Sequence, residues 1–300
     1  MRYIISSILA SLPLTALAEV PQVITDIPPV HALVAQVMGD LGTPVLLLEK
    51  GADEHDFQLR PSQMQQIAEA DLVVWIGPEL TPWLDRALAG AQAGMVSLPL
   101  LDQADTQTRA FGATEHDDHS AESDGHGHDG IDPHAWMDPA NAAYWVDVIA
   151  VQLVLADPDN TQTYTANAIA AKEQITALDT ELSALLAPLK DRAFVTYHDA
   201  YGYFTAHYGL KAAGSVAMGD ATAPGAAHLA ELQTTIADVT CVFPELQHDP
   251  ALLLQLLDGS TARAGAALDP VGSGLEPGPH AYADLMRGLA TTLADCLNGA

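Results

Sequence analysis

The sequence predicts an α/β protein of two lobes, each a parallel sheet flanked by helices, joined by one long rigid helix. Three observations predict it. Short apolar runs alternate with amphipathic stretches over residues 22–100; the same rhythm returns after Arg192; and the run between them, residues 160–189, has no internal proline before Pro188. Strands that alternate with helical stretches build parallel sheets through crossover connections. Length agrees with this division, since 300 residues at roughly 100 to 200 per domain suggest two lobes.

Residues 1–18 carry one positive charge at Arg2, an apolar run over residues 3–14 and the small-x-small end Ala16-Leu17-Ala18. That is the pattern of a secretory signal peptide, with cleavage after Ala18. The run is too short to span a bilayer and no later stretch approaches about 18 uninterrupted apolar residues, so no membrane insertion is expected. Cys241 and Cys296 are the only cysteines, which leaves none near the cleavage site for a lipid anchor. Free residence in the periplasm follows as the expectation.

The first lobe, residues 19–157, is expected to place strands at residues 23–27, 44–48, 72–76 and 95–100, with helices at 30–38, 61–70 and 79–88. A connecting helix follows over residues 158–190, with Ile169, Ile175, Leu178, Leu182, Leu185 and Leu186 near helical spacing. A break into two helices near Thr180 is the alternative. The second lobe, residues 191–300, is expected to place strands at 193–197, 210–216 and 240–243, with helices at 201–207, 226–237 and 250–257.

Residues 115–129 stand apart, with His116, His119, His126 and His128 among six carboxylates and two glycines and no large apolar side chain. Such a segment cannot pack a core and is expected to be a disordered loop with auxiliary metal affinity. The net charge is −28, and removal of Arg2 with the signal makes it −29. A charge of that sign opposes nucleic acid and anionic lipid and suits a cation as ligand. Two cysteines in an exported chain are read first as one disulfide, because that compartment is oxidising and a spacing of 55 residues matches no zinc motif.

Three histidines fall where strands are expected to end: His55 in Asp-Glu-His-Asp-Phe, His134 in Asp-Pro-His-Ala-Trp-Met-Asp-Pro, and His198 in Val-Thr-Tyr-His-Asp-Ala-Tyr. Ligands of open α/β sheets gather outside the carboxyl ends of strands. Three imidazoles from different loops, with a carboxylate, make a zinc-type donor set. Trp75, Trp83, Trp136 and Trp145 are expected in the core or between lobes, and His31, His207, His228, His248 and His280 receive no role.

The wording around these histidines resembles a family. Residues 54–62 (Glu-His-Asp-Phe-Gln-Leu-Arg-Pro-Ser), 70–77 (Ala-Asp-Leu-Val-Val-Trp-Ile-Gly), 133–139 (Pro-His-Ala-Trp-Met-Asp-Pro), 198–204 (His-Asp-Ala-Tyr-Gly-Tyr-Phe) and 267–272 (Ala-Leu-Asp-Pro-Val-Gly) are similar to the zinc-specific solute-binding proteins of ABC transporters, the ZnuA-like branch of the cluster A-I metal receptors. The resemblance runs from about residue 20 to the end. It implies two α/β lobes joined by a long helix, Zn2+ in the cleft with His55, His134 and His198 as ligands, and a monomer that delivers the ion to an ABC permease in the inner membrane. It also implies a fourth donor at Glu54, with Asp269 the rival, because manganese members of the wider family supply a carboxylate from that position. The histidine-rich loop and a Cys241–Cys296 disulfide match zinc members, while Phe57 departs from the frequent Tyr. A manganese or other divalent-metal receptor and a periplasmic zinc buffer are the alternatives. A zinc hydrolase is the enzyme reading, but there is no His-Glu-x-x-His helix and no nucleophile motif.

Overall fold

The structure is a computed structural model that describes residues 20–90, 94–111, 130–217 and 224–299. The expected signal peptide and the stretch 115–129, with His116, His119, His126 and His128, lie outside the described residues.

The first half of the chain runs β1 (Val23–Thr25), α1 (Pro28–Met38), β2 (Val45–Leu46), α2 (Pro61–Glu69), β3 (Leu72–Trp75), α3 (Pro82–Leu88) and β4 (Val96–Pro99). Its strands are all parallel in the order β2-β1-β3-β4. Every residue of β1 and β3 is buried, as expected for central strands covered by helices on both faces. Pro28 and Pro29 open α1, where a missing N–H breaks no helical bond. The helix closes at Gly39, which has φ +54° and lies so near α5 (Thr161–Leu186) that a Cβ there would meet Asn167 at 2.5 Å. A side chain at position 39 would displace the Asn167 amide, which donates to the Val37 carbonyl at 3.0 Å.

Between the sheets, α4 (Pro139–Ala156) leads into α5, whose ends continue as 3-10 turns at Pro158–Asn160 and Ala187–Leu189. There is no break at Thr180. At 26 residues, α5 is about 39 Å long. Its buried stripe is Tyr164, Ala168, Ala171, Ile175, Leu178, Leu182 and Leu186, a spacing of three and four residues that keeps one face inward. Ile169 and Leu185, expected in that stripe from hydrophobicity alone, are exposed. Ala168 and Ala171 take the inner positions instead, where small side chains let neighbouring helices approach. By length and composition α4 could cross a bilayer, but it packs against α5 and α1 with Trp145, Val146, Ile149 and Leu153 fully buried.

The second half runs β5 (Phe194–His198), α6 (Gly202–Tyr208), β6 (Ala212–Ala217), α7 (Ala226–Ile236), β7 (Cys241–Val242), α8 (Ala251–Leu256), β8 (Arg263–Ala264) and α9 (Ala281–Leu297). Its strands are parallel in the order β6-β5-β7-β8, the same pattern as the first sheet. The terminal helix α9 crosses back to pack on α1 and α5. A disulfide between Cys241 and Cys296, with Cα atoms 6.3 Å apart, ties its end to β7. One core therefore runs through both halves, and Trp136, Trp145, Tyr164, Phe194, Phe243 and Tyr282 are among its largest side chains.

Candidate metal centre

Three separate segments bring imidazoles to one point between the sheets. His198 is the last residue of β5, so the strand itself aims it. His55 lies in the loop after β2. Asp53 Oδ1 accepts from the His55 amide at 2.8 Å, and Trp83 of α3 donates its indole N–H to the Glu54 carbonyl at 2.8 Å. Those two bonds fix the loop and turn the Glu54 side chain inward, where it is 3% exposed. His134 differs from expectation, because among the described residues no strand leads directly into it. It follows an isolated antiparallel bridge between Ala110 and Ile131 and enters a 3-10 turn at Ala135–Met137. Its segment is held by Tyr203, whose hydroxyl donates to the Asp132 carbonyl at 2.8 Å and accepts from the Arg109 amide at 2.9 Å.

His134 Nε2 and His198 Nε2 lie 3.3 Å apart. The His55 ring centroid is 5.5 Å from that of His134 and 6.1 Å from that of His198. Glu54 Oε1 is 3.8 Å from His55 Nε2. One donor atom from each of Glu54, His55, His134 and His198 falls within 4.8 Å of the others. Asp269 is not part of that group. Its Oδ2 accepts from the Gly274 amide at 2.8 Å, and its Oδ1 accepts from the Ser273 amide at 3.1 Å and from Gln247 Nε2 at 2.8 Å. Both oxygens are committed to the turn that follows Pro270.

The imidazoles are oriented from behind. His134 Nδ1 donates to Asp132 Oδ1 at 2.7 Å, and His198 Nδ1 donates to Glu245 Oε2 at 2.6 Å. Glu245 Oε1 accepts from the Tyr201 hydroxyl at 2.9 Å and from the His198 amide at 3.3 Å. A proton held at Nδ1 leaves the Nε2 lone pair for a cation, the usual outer-shell device of metal-binding histidines. Sequence reasoning did not single out Asp132 or Glu245. Asp132 was readable two residues before His134, whereas Glu245 meets His198 only because β7 pairs with β5.

Burial lowers His55 well below the ordinary histidine range, and the neighbouring His134, His198 and His248 add to the shift, so the ring is neutral at pH 7. Burial raises the Glu54 carboxyl to about 7, against the pull of His198 and His134. Burial also pushes Glu245 up, but the charge and hydrogen bond of His198 and the Tyr201 hydroxyl outweigh it and hold the carboxyl below its usual range. Such a cleft offers imidazole nitrogen donors and a carboxyl group that a cation would ionise.

Two parallel sheets of one topology, with two buried imidazoles, a partly buried third and a buried carboxylate converging between them, define the class of two-lobed binding proteins with a metal-type cleft. The match to known proteins is more particular. Residues 23–296 match the family model ZnuA, zinc-uptake complex component A periplasmic, and the chain belongs to that family. It is 48% identical to the high-affinity zinc uptake system protein ZnuA of Paracoccus denitrificans, over 98% of this chain and 97% of that protein. It is 35% identical to the protein of the same name from Brucella suis, over 92% and 91%. Among solved structures, a manganese-bound mutant of a periplasmic metal binding protein from Candidatus Liberibacter asiaticus superposes with a TM-score of 0.77 at 21% identity, covering 92% of this chain and 99% of that one. The laminin binding protein of Streptococcus agalactiae gives 0.76 at 22%, with the same coverage.

Proposed function

We propose that the chain is a periplasmic receptor that holds one zinc ion in this cleft and delivers it to the permease of an ABC importer in the inner membrane. The observation that carries the reading is the convergence of His134 Nε2 and His198 Nε2 to 3.3 Å beside Glu54 and His55. Membership of a periplasmic zinc-uptake family supports zinc as cargo and the periplasm as compartment. The uptake system named for the relatives supports delivery to an importer. Export by removal of residues 1–18 and action as a monomer complete the reading.

The chemistry of capture follows from the donors. Three imidazole nitrogens suit zinc better than manganese, which prefers oxygen. Glu54 supplies the fourth donor and a compensating negative charge, and Asp269 stays with its turn. Four protein donors close a tetrahedron and leave no open position for a reacting water, which favours a receptor over a hydrolase. Asp132 and Glu245 keep Nδ1 protonated, so the lone pairs are aimed before the ion arrives and little ordering is needed on binding.

Competitive titration of chelator-stripped protein with zinc and manganese tests this. One tight equivalent with preference for zinc is expected. Replacing His55, His134 or His198 with Ala should weaken it by more than about 100-fold, since even outer-shell losses cost 10- to 100-fold. Wild-type affinity in any of these variants would remove that residue from the site, and equal affinity for manganese would sink the assignment of cargo.

A further inference from the structure

A second group of potential metal ligands shares one residue with the first. His198, Glu245 and His248 each place a donor atom within 4.8 Å of the others. Glu245 Oε2 is the hub, at 2.6 Å from His198 Nδ1 and 3.8 Å from His248 Nε2. The two groups therefore meet opposite edges of a single imidazole, with Nε2 toward His134 and Nδ1 toward Glu245. They also differ in exposure. The His134 side chain is fully buried and that of His198 is 6% exposed, whereas that of His248 is 29% exposed. The His248 ring is held in place by stacking on Tyr197, with centroids 4.4 Å apart and planes 15° from parallel.

We propose that Glu245 Oε2 and His248 Nε2, beside the Nδ1 edge of His198, form a second and weaker cation position at the edge of the cleft, through which an incoming zinc ion exchanges with the one already bound. The inference rests on the receptor reading and adds a route to it. Two protein donors leave a tetrahedral ion two coordination places for water, so an ion here is readily displaced, unlike one enclosed by four protein ligands. The position is also coupled to the first. A cation on Glu245 Oε2 competes with the His198 Nδ1 proton for the same oxygen, and filling the outer position releases the imidazole from the orientation that aims Nε2 inward. By linkage the coupling is mutual, so a filled cleft weakens the outer position to the same degree.

Isotope exchange reads this directly. Full-length protein is loaded with one equivalent of isotopically enriched zinc, chased with increasing natural zinc, desalted, and the retained isotope measured by mass spectrometry. Simple dissociation gives an exchange rate independent of chase concentration. Exchange through the outer position gives a rate that rises with chase zinc and then saturates. The wild type is expected to show that rise, reaching about 5-fold or more over the unassisted rate, and His248→Ala and His248→Gln are expected to lose it. The histidines of residues 115–129 are present in every variant, so the difference isolates His248. A flat rate in the wild type, or an undiminished rise in both variants, overturns the proposal. Failure of the receptor reading itself looks different, because the wild type would then retain no zinc equivalent through desalting.

Discussion

The two sheets share one strand order, and each carries a buried carboxylate where its two central strands end. In the first sheet this is Asp26, one residue past β1. Its Oδ1 accepts from the Ile27 amide at 2.8 Å and its Oδ2 from the Ile76 amide, just past β3, at 2.9 Å. In the second it is Glu245, three residues past β7, which binds the amide and ring of His198 at the end of β5. This is the place where open α/β sheets gather ligands. Asp26 seals it, because its acceptors are filled by the backbone of the strand ends themselves. Glu245 opens it, because one of its partners is an imidazole whose second nitrogen faces the cleft. The titration of the two groups follows the same division. Burial raises Asp26 to about 7 despite its backbone amides, whereas the partners of Glu245 outweigh burial. One topology thus yields a strap between strand ends in one lobe and a carboxylate that orients an imidazole in the other.

The second sheet also has an outside tie. Its β7 and β8 are two residues each, against four each for β3 and β4. The disulfide from Cys241 to Cys296 closes a loop of 55 residues, and the chain-entropy model gives such a crosslink about 4 kcal/mol. Reducing the zinc-free protein should therefore lower its melting temperature by more than any single substitution below, while the tight zinc equivalent survives, since neither cysteine touches the donors. Loss of zinc binding on reduction, with the chain still folded, would show that the second sheet cannot hold His198 and Glu245 without the crosslink.

Exchanging the acidity of the two carboxylates sharpens the contrast further. Glu245→Gln keeps the shape and removes the charge that fixes the His198 tautomer, so zinc affinity should fall by roughly 10- to 100-fold. Asp26→Asn should leave affinity alone and appear only in stability. Competitive chelator titration of both variants, alongside their melting curves, checks the pair. An affinity loss in Asp26→Asn as large as that in Glu245→Gln would mean that the first sheet's strap also aims a ligand, and the distinction between the lobes would fail.

Much of this was legible in the sequence, for definite physical reasons. The alternation of short apolar runs with amphipathic stretches exposes the parallel sheets, since buried strands and flanking helices have different hydrophobic periods. The long helix was readable from unbroken spacing, but its inner face was misjudged at Ile169 and Leu185, because close helix packing selects small residues over large ones. Two helices escaped the alternation. In α4 apolar side chains surround most of the circumference, so no stripe stands out; α9 has a clear stripe but crosses back to pack on α1 and α5, with its end tied to β7. At the site, histidines from three segments could be gathered by the family wording around them. Glu245 and His248 could not, because their approach to His198 depends on which strand lies beside β5, and strand order is a property of the folded sheet.

The smallest effect predicted concerns the joint between the two halves. His207 on α6 reaches Asp138 at the start of α4 with Nδ1 at 3.0 Å and Asp179 on α5 with Nε2 at 2.8 Å. It therefore links the second lobe to both connecting helices. The hydrogen bond to Asp138 is the largest cause raising its pKa; burial opposes this, Asp179 adds to it, and the result is about 9 against an ordinary 6.5. The folded state therefore binds the extra proton more tightly than the unfolded chain. The stabilisation is fully present below about pH 6.5 and is lost as pH rises through about 9. With the side chain 23% exposed, solvent screening leaves an expected ~1–2 kcal/mol. Denaturant unfolding of zinc-free wild type and His207→Gln at pH 6, 7.5 and 9.5 should show a gap that narrows steadily with pH. A gap independent of pH would mean that His207 joins the halves by packing alone, with the two carboxylates contributing nothing through its charge.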